Sequence, residues 1–125
     1  MAVEGVLGEI RLRLEERIKR QLSGLQGFVV KPVYNSIMPL HVEVSLASQS
    51  YDFVFLKDGI VELRPSSGST PDVRIESDAQ TFASLFRNPS KKMFNELESQ
   101  QKIRVVSLTQ KGKEAEGYIR RYLAG

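Results

Sequence analysis

An α+β layered domain is the fold class this sequence predicts, and three observations predict it. Residues 40–64 read as strands joined by tight turns. Residues 77–97 then switch to helical spacing and read as two short helices grouped together. The chain has 125 residues, 41% hydrophobic and 26% charged, which is one domain's worth of sequence with enough apolar mass for a core. Hairpin-linked strands with grouped helices exclude a parallel βαβ repeat. A single domain over 1–125 is expected.

The first element is a helix in EGVLGEIRLRLEERIKRQLSG. Val3, Val6, Leu7, Ile10, Leu14 and Ile18 recur at spacings of three and four, and Arg11, Glu15 and Lys19 fill the wet face. Gly24 and Gly27 follow its end. Phe28–Val30 predicts a short strand with Pro32 marking its edge or exit, and Asn35–Pro39 a turn or helical bend. In LHVEVSLA, Leu40, Val42, Val44 and Leu46 share one face and His41, Glu43 and Ser45 the other. SQS is a turn, YDFVFLK a strand with bulk on both faces, and Asp58-Gly59 a hairpin signal that supplies positive φ at low cost. Ile60–Arg64 returns, PSSGSTP is a loop, and Asp72–Glu76 is a further strand with Val73 and Ile75 inward.

The rhythm changes inside PDVRIESDAQTFASLF. Ser77 can cap a helix, with Gln80 three residues later completing a capping box and Asp78 complementing the helix dipole. Ala79, Phe82, Ala83, Leu85 and Phe86 form its inner face, and Asn88-Pro89 stops it. Ser90 caps a second short helix that turns Met93, Phe94 and Leu97 inward. KIRVVSL is a strand. The last helix, KEAEGYIRRYLAG, carries Ala115, Tyr118, Ile119, Tyr122 and Leu123 as its stripe.

Charge and chemistry narrow the function classes. Net charge is +3, distributed as +2 over 1–35, −4 over 36–86 and +5 over 87–125. A basic C-terminal third can face anionic lipid headgroups or nucleic acid, or be a solvated surface. There is no Cys, which excludes disulfides and thiolate metal sites. Glu4 and Glu9 interrupt the first residues, so they do not read as a secretory signal, and no apolar stretch reaches membrane-span length. A cytoplasmic location is expected. His41 is the only histidine and stands on the polar side of a strand, with no nucleophile motif beside it. No His/Cys metal spacing or glycine-rich phosphate loop occurs. An enzyme is disfavoured, and no cofactor is implied.

PDVRIESDAQTFASLF, KKMFNELESQQKIRVVSL and the closing helix together resemble the sterol carrier protein type 2 family. Asp72, Val73 and Ile75 match its strand, Phe82 and Leu85 its helix, Ile103 and Val105 its last strand, and Tyr118–Leu123 its tail. The resemblance covers about residues 40–123, with Val3–Leu22 fitting the family's N-terminal helix in type. Asn88-Pro89 and Ser99-Gln100-Gln101 stand where the family often carries Gly. The resemblance implies a five-stranded antiparallel sheet with helices over one face, enclosing an apolar tunnel for a lipid or fatty acyl ligand. In that light Phe82, Leu85, Phe86, Met93, Phe94, Leu97, Ile119, Tyr122 and Leu123 are the candidate ligand-lining residues, with Met93 adaptable to varied chains. The alternative, favoured for each residue taken singly, is that they simply pack with one another as plain core.

Two other functions stay open. Lys91, Lys92, Lys102, Arg104, Lys111, Lys113, Arg120 and Arg121 could bind nucleic acid with a steep salt dependence, although few aromatics alternate with them. Alternatively the greasy helices serve a homodimer interface in a structural or accessory domain. A carrier would also make transient contact with an anionic membrane surface.

Overall fold

Alternating apolar residues build a one-sided sheet. A computed structural model describes the backbone at residues 3–24, 27–47 and 49–124, and the side chains at 4–24, 31–47 and 49–124. Five strands form: β1 (Leu40–Leu46), β2 (Gln49–Phe55), β3 (Val61–Pro65), β4 (Val73–Ser77) and β5 (Ile103–Ser107), in the order β3-β2-β1-β4-β5. The register sets Val42 against Phe53 and Val73, and Val44 against Tyr51 and Ile75, so one face is continuous hydrocarbon. Asp58 (φ 64) and Gly59 (φ 84) make the β2–β3 turn in the positive-φ conformation expected of Asp-Gly. The β1–β2 turn comes earlier than expected: β2 begins at Gln49, within the predicted SQS turn, and Ala47 takes positive φ. Ser48 lies outside the described residues.

The sheet is mixed, which corrects the expected antiparallel one. β1–β2, β2–β3 and β4–β5 are antiparallel, but β4 runs parallel to β1. The physical reason lies at the β3 edge and in the loop 66–72. The Arg11 guanidinium donates to Val61 O (3.2 Å) and the Glu15 carboxylate accepts from Val61 N (2.9 Å), so a helix occupies the edge where a fourth meander strand would pair. The loop instead recrosses the outer face, where the Ser66 hydroxyl donates to Glu43 and Ser67 N to Asp52. Asp72 N then reaches His41 O at 2.8 Å, starting β4 beside the start of β1. Side-chain alternation carries no information about strand direction.

Helices cover the apolar face. α1 (Val3–Ser23) buries Leu7 and Ile10, with Val6, Leu14 and Ile18 packed beside them. Its Arg11 and Glu15, predicted on the wet face, are part-buried because they bind the β3 edge. α2 (Gly27–Ser36) replaces the predicted Phe28–Val30 strand. A short apolar run has no period that separates strand from helix, and Pro32 is accommodated within the helix. The side chains of Val3 and of Phe28–Val30 lie outside those described. α3 (Ala79–Arg87) is capped by Asp78 and not by Ser77: Thr81 N donates to Asp78 Oδ1 at 2.8 Å and the Thr81 hydroxyl to Oδ2 at 2.7 Å. Ser77 is still the last residue of β4, so the cap falls one residue later. α4 (Lys91–Ser99) has the predicted Ser90 cap, accepting from Met93 N at 3.2 Å. α5 (Gln110–Ala124) starts earlier than the predicted boundary.

The outer face is a ladder of paired charges. Arg74 binds Glu43 at 2.7 Å and Arg104 binds Glu76 at 3.1 Å, and Glu62 pairs with Arg64. His41 belongs here, its Nε2 2.9 Å from the buried Asp52 carboxylate.

Candidate functional site

The nine predicted lining residues come from three helices and meet in one layer. Phe82, Leu85 and Phe86 project from α3, Phe94 from α4 and Leu123 from α5, all buried. Met93 and Leu97 of α4 and Ile119 and Tyr122 of α5 are half-buried against the same cluster. Leu85 and Ile103 are 0% exposed at its centre, under α3 and on β5 respectively. Helical spacing of apolar residues, fixed in phase by the Asp78 and Ser90 caps, turns the α3 and α4 side chains toward the sheet. Tyr118 does not join them. It is 66% exposed and stacked by Arg121 at 5.8 Å, because the helix commits Ala115, Ile119, Tyr122 and Leu123 to the sheet side.

The side chains of this layer are in contact with one another. Phe86 and Tyr122 rings stand 6.0 Å apart at 33°. Open hollows on the surface among the described residues include one of about 600 Å³ between α1 and α2 and one of about 490 Å³ beside β5. Neither is lined by any of the nine residues; the first is edged by Glu16, Lys19, Arg20, Lys31 and Asp58.

The start of α5 is fixed to the sheet by contacts at backbone distance. The Thr109 hydroxyl donates to Asp72 Oδ1 at 2.7 Å and accepts from Gly112 N at 3.0 Å, so it caps the helix and ties it to β4 together. Asp72 Oδ2 also accepts from His41 N at 2.9 Å, and Asp72 O from Leu108 N at 2.8 Å. Gly112 packs so closely that a Cβ there would fall 2.0 Å from Asp72 O. Sequence reading found Asp72 only as a motif residue and missed Thr109 and Gly112. Their signal was present: a Thr followed three residues later by a Gly inside a helix start.

Arg120 is a second residue that sequence reading undervalued. Its guanidinium binds Glu98 of α4 and Glu116 of α5 (3.0 Å), reaches Val105 O at 3.4 Å, and lies 6.0 Å over the Phe94 ring. It thereby ties α4 and α5 to β5. The Ser107 hydroxyl, and after it Arg120, holds the Glu116 carboxyl below its ordinary range. Of the eight cations expected to meet nucleic acid, Arg104, Arg120 and Lys111 are engaged by Glu76, by Glu98 and Glu116, and by Pro39 O. That pattern is one of structural pairing and does not favour a phosphate-binding stripe.

On the other side of α5, α1 closes the layer. Arg13 lies 5.6 Å over the Phe86 ring and Arg17 4.9 Å over the Tyr122 ring. Burial pushes the Tyr122 phenol up, and the charges of Arg17 and Arg13 partly offset it. Burial pushes the half-buried Tyr34 phenol of α2 up to about 12. Among the described residues no group of three His, Asp or Glu side chains could hold a metal ion, and no helix is long and apolar enough to cross a membrane.

Comparison with solved structures places this architecture. A ubiquinone synthesis protein, UbiJ-SCP2, matches over 90% of this chain and 93% of its own at 13% identity, with a TM-score of 0.57. The sterol carrier protein domain 2 of Helicoverpa armigera matches over 96% and 89% at 17% identity, with a TM-score of 0.53. The chain has a sterol-carrier-protein fold. The resemblance read from Asp72, Phe82 and Ile103 therefore holds at the level of fold, with the mixed sheet described above. No family model matches the chain, and no curated protein matches it in sequence. In this sterol-carrier fold the short helices α3 and α4, the longer α5 and α1 lie over the sheet where the nine residues meet.

Proposed function

We propose that this chain, acting as one sterol-carrier-like domain, binds a lipid or fatty acyl chain without catalysing a reaction. The guest lies between the sheet and α3, α4 and α5, against the nine residues named above. The observation that carries this reading is the layer itself: apolar side chains from two short, separately capped helices, α3 and α4, and from the longer α5 face one hydrocarbon sheet face. Helices of nine residues are not stable alone. Their position depends on those side-chain contacts, so an acyl chain can replace part of them. Each methylene moved out of water contributes about 0.8 kcal/mol, offset by the ordering of chain and lining. Such a site needs no polar motif, which agrees with a sequence that has none.

Native mass spectrometry of protein purified from cells is expected to show a bound hydrophobic mass. A fluorescent fatty acid is expected to titrate saturably, with Kd of roughly micromolar or tighter. Absence of both bound mass and saturable uptake would overturn the proposal.

A further inference from the structure

We propose that two copies of this chain join through the open edge of β5, each β5 pairing antiparallel with the other across a two-fold axis at Val105. This is independent of lipid binding, because it uses the rim of the sheet and not the apolar layer on its face. The two edges of the sheet are built differently. At β3, Arg11 and Glu15 of α1 occupy Val61 O and Val61 N, and Pro65 ends the strand without an N–H. β5 carries neither device. It reads Ile-Arg-Val-Val-Ser, with no proline, and the hollow of about 490 Å³ lies against it, edged by Glu98, Gln101 and Arg104. An added strand stands about 4.8 Å from its neighbour, and that open space is where it would lie.

Hydrogen-bond alternation fixes which groups face outward. Leu108 N donates to Asp72 O and Ser107 stands opposite Val73, so the main chain of Arg104 and Val106 turns toward β4. The N–H and C=O groups of Ile103, Val105 and Ser107 therefore point away from the sheet. Among the described residues only the Arg120 guanidinium reaches one of them, Val105 O at 3.4 Å, and a carbonyl keeps a second lone pair. An axis at Val105 pairs all of these groups: Val105 with Val105 of the second copy, and Ile103 with Ser107 at either end. An axis at Val106 leaves Ile103 unpaired. An axis at Arg104 leaves Ser107 unpaired and sets two arginines directly opposite, which is repulsive. With the axis at Val105, Arg104 instead faces Val106 of the second copy, while its charge stays paired with Glu76 at 3.1 Å. Val106 is half-buried and Leu108 is 39% exposed, on a face built mainly of paired charges, and the second strand would cover Val106. An extended segment of another protein would meet the same main-chain groups. The second copy is the occupant that brings a matching row, Arg104 against Val106, with no charge left over.

Analytical ultracentrifugation of the full chain, from micromolar to millimolar concentration, is expected to show a reversible monomer–dimer equilibrium. Val106→Lys sets a cation against Arg104 of the second copy and is expected to weaken the dimer about tenfold. Val106→Glu sets a carboxylate there and is expected to tighten it about threefold. Circular dichroism melts at low concentration check that each variant still folds as a monomer. The chain has no cysteine, so disulfide formation reads the register without background. Directly opposed residues of a non-hydrogen-bonded pair have Cα atoms about 4.5 Å apart, within disulfide reach. Arg104→Cys mixed with Val106→Cys is expected to cross-link, and each alone to cross-link much less. A monomer at every concentration overturns the inference, leaves lipid binding untouched and leaves the β5 edge to an extended segment of another protein. A dimer that both Val106 variants leave unchanged, or weaken alike, is held by another surface or by generic apolar contact, and also overturns it. So does Arg104→Cys cross-linking with itself in preference to the mixture, which would move the axis.

Discussion

Replacing Gly112 with Ala tests the claim that the start of α5 is held at backbone distance. The new Cβ would stand 2.0 Å from Asp72 O, 2.8 Å from Asp72 C and 3.2 Å from Val73 Cγ2. The first two are main-chain atoms of the β4 approach and cannot rotate away, so the helix start must retreat by about 1 Å to reach a tolerable contact. That retreat stretches the Thr109–Asp72 bond of 2.7 Å and the Leu108–Asp72 bond of 2.8 Å. Overpacking costs about 1–3 kcal/mol and each weakened hydrogen bond about 1 kcal/mol, against a helix-propensity gain of about 1 kcal/mol for Ala over Gly. The net expectation is a loss of about 2–4 kcal/mol, seen as a fall in Tm of roughly 6–24 °C. Gly117→Ala, five residues later on the same helix, supplies the control. No atom lies within 4 Å of its Cβ position, and the residue is exposed. It should gain up to about 1 kcal/mol. Circular dichroism melts and urea titrations of the two variants read opposite signs. If Gly112→Ala is as stable as the unaltered protein, the tight approach of α5 to β4 is wrong.

Two further substitutions probe the edges of the site. Arg120→Met removes the links to Glu98, Glu116 and Val105 O; because the side chain is about one-third exposed, the expected loss is about 1 kcal/mol, and the gap should narrow in high salt. A gap that widens with salt would show that the ion pairs are not its source. Asp78→Ala should cost about 1 kcal/mol at neutral pH through the lost α3 cap, while Asp78→Asn should cost less. The Asp78 carboxyl is held below its ordinary range, first by the Thr81 N–H and then by the Thr81 hydroxyl. A carboxylate lowered in the folded state stabilises above its unfolded pKa, near 4, and that contribution disappears as pH falls through the folded value. The gap between the unaltered protein and Asp78→Ala should therefore close below about pH 4, and a gap that grows on acidification contradicts the cap.

Much of this was legible because burial and period coincide. Leu40, Val42, Val44 and Leu46 alternate in sequence and are all buried on one face. The Asp58-Gly59 turn followed from φ requirements that few residues meet. The sheet's direction was not legible, because Val73 and Ile75 would alternate identically in a strand running either way. α2 was misread where a run of apolar residues carried no period. Tyr118 was misassigned for a different reason: four residues of the α5 stripe are enough to seat the helix, and a fifth at its margin can turn outward. The candidate site divides the same way. Its apolar layer was readable from spacing, but Thr109, Gly112 and Arg13 acquire their roles only from partners 37–73 positions away in sequence, Asp72 for Thr109 at the nearest and Phe86 for Arg13 at the farthest.

The two ends of α5 are held by contacts of unequal strength, and that inequality orders what can move. At its start the helix is tied through Asp72 and Thr109 and has no room even for a methyl group at Gly112. At its far end Tyr122 meets the Phe86 ring and the Arg17 guanidinium through side chains alone. An exposed cation–π contact contributes about 0.5–1 kcal/mol, and a ring pair about 0.5–1.5 kcal/mol beyond its area. Separating those costs less than breaking a close-packed backbone contact with its hydrogen bonds, so a guest reaching Leu123, Ile119 and Phe86 meets least resistance at the α1–α5 seam. Stiffening that seam, by contrast with loosening the Asp72 anchor, should slow ligand exchange without moving the melting temperature downward. A cysteine pair crossing from α1 to the last turn of α5 would read this directly: oxidation should slow uptake of a fluorescent fatty acid and reduction restore it. Uptake at the same rate in both states would place the entry elsewhere.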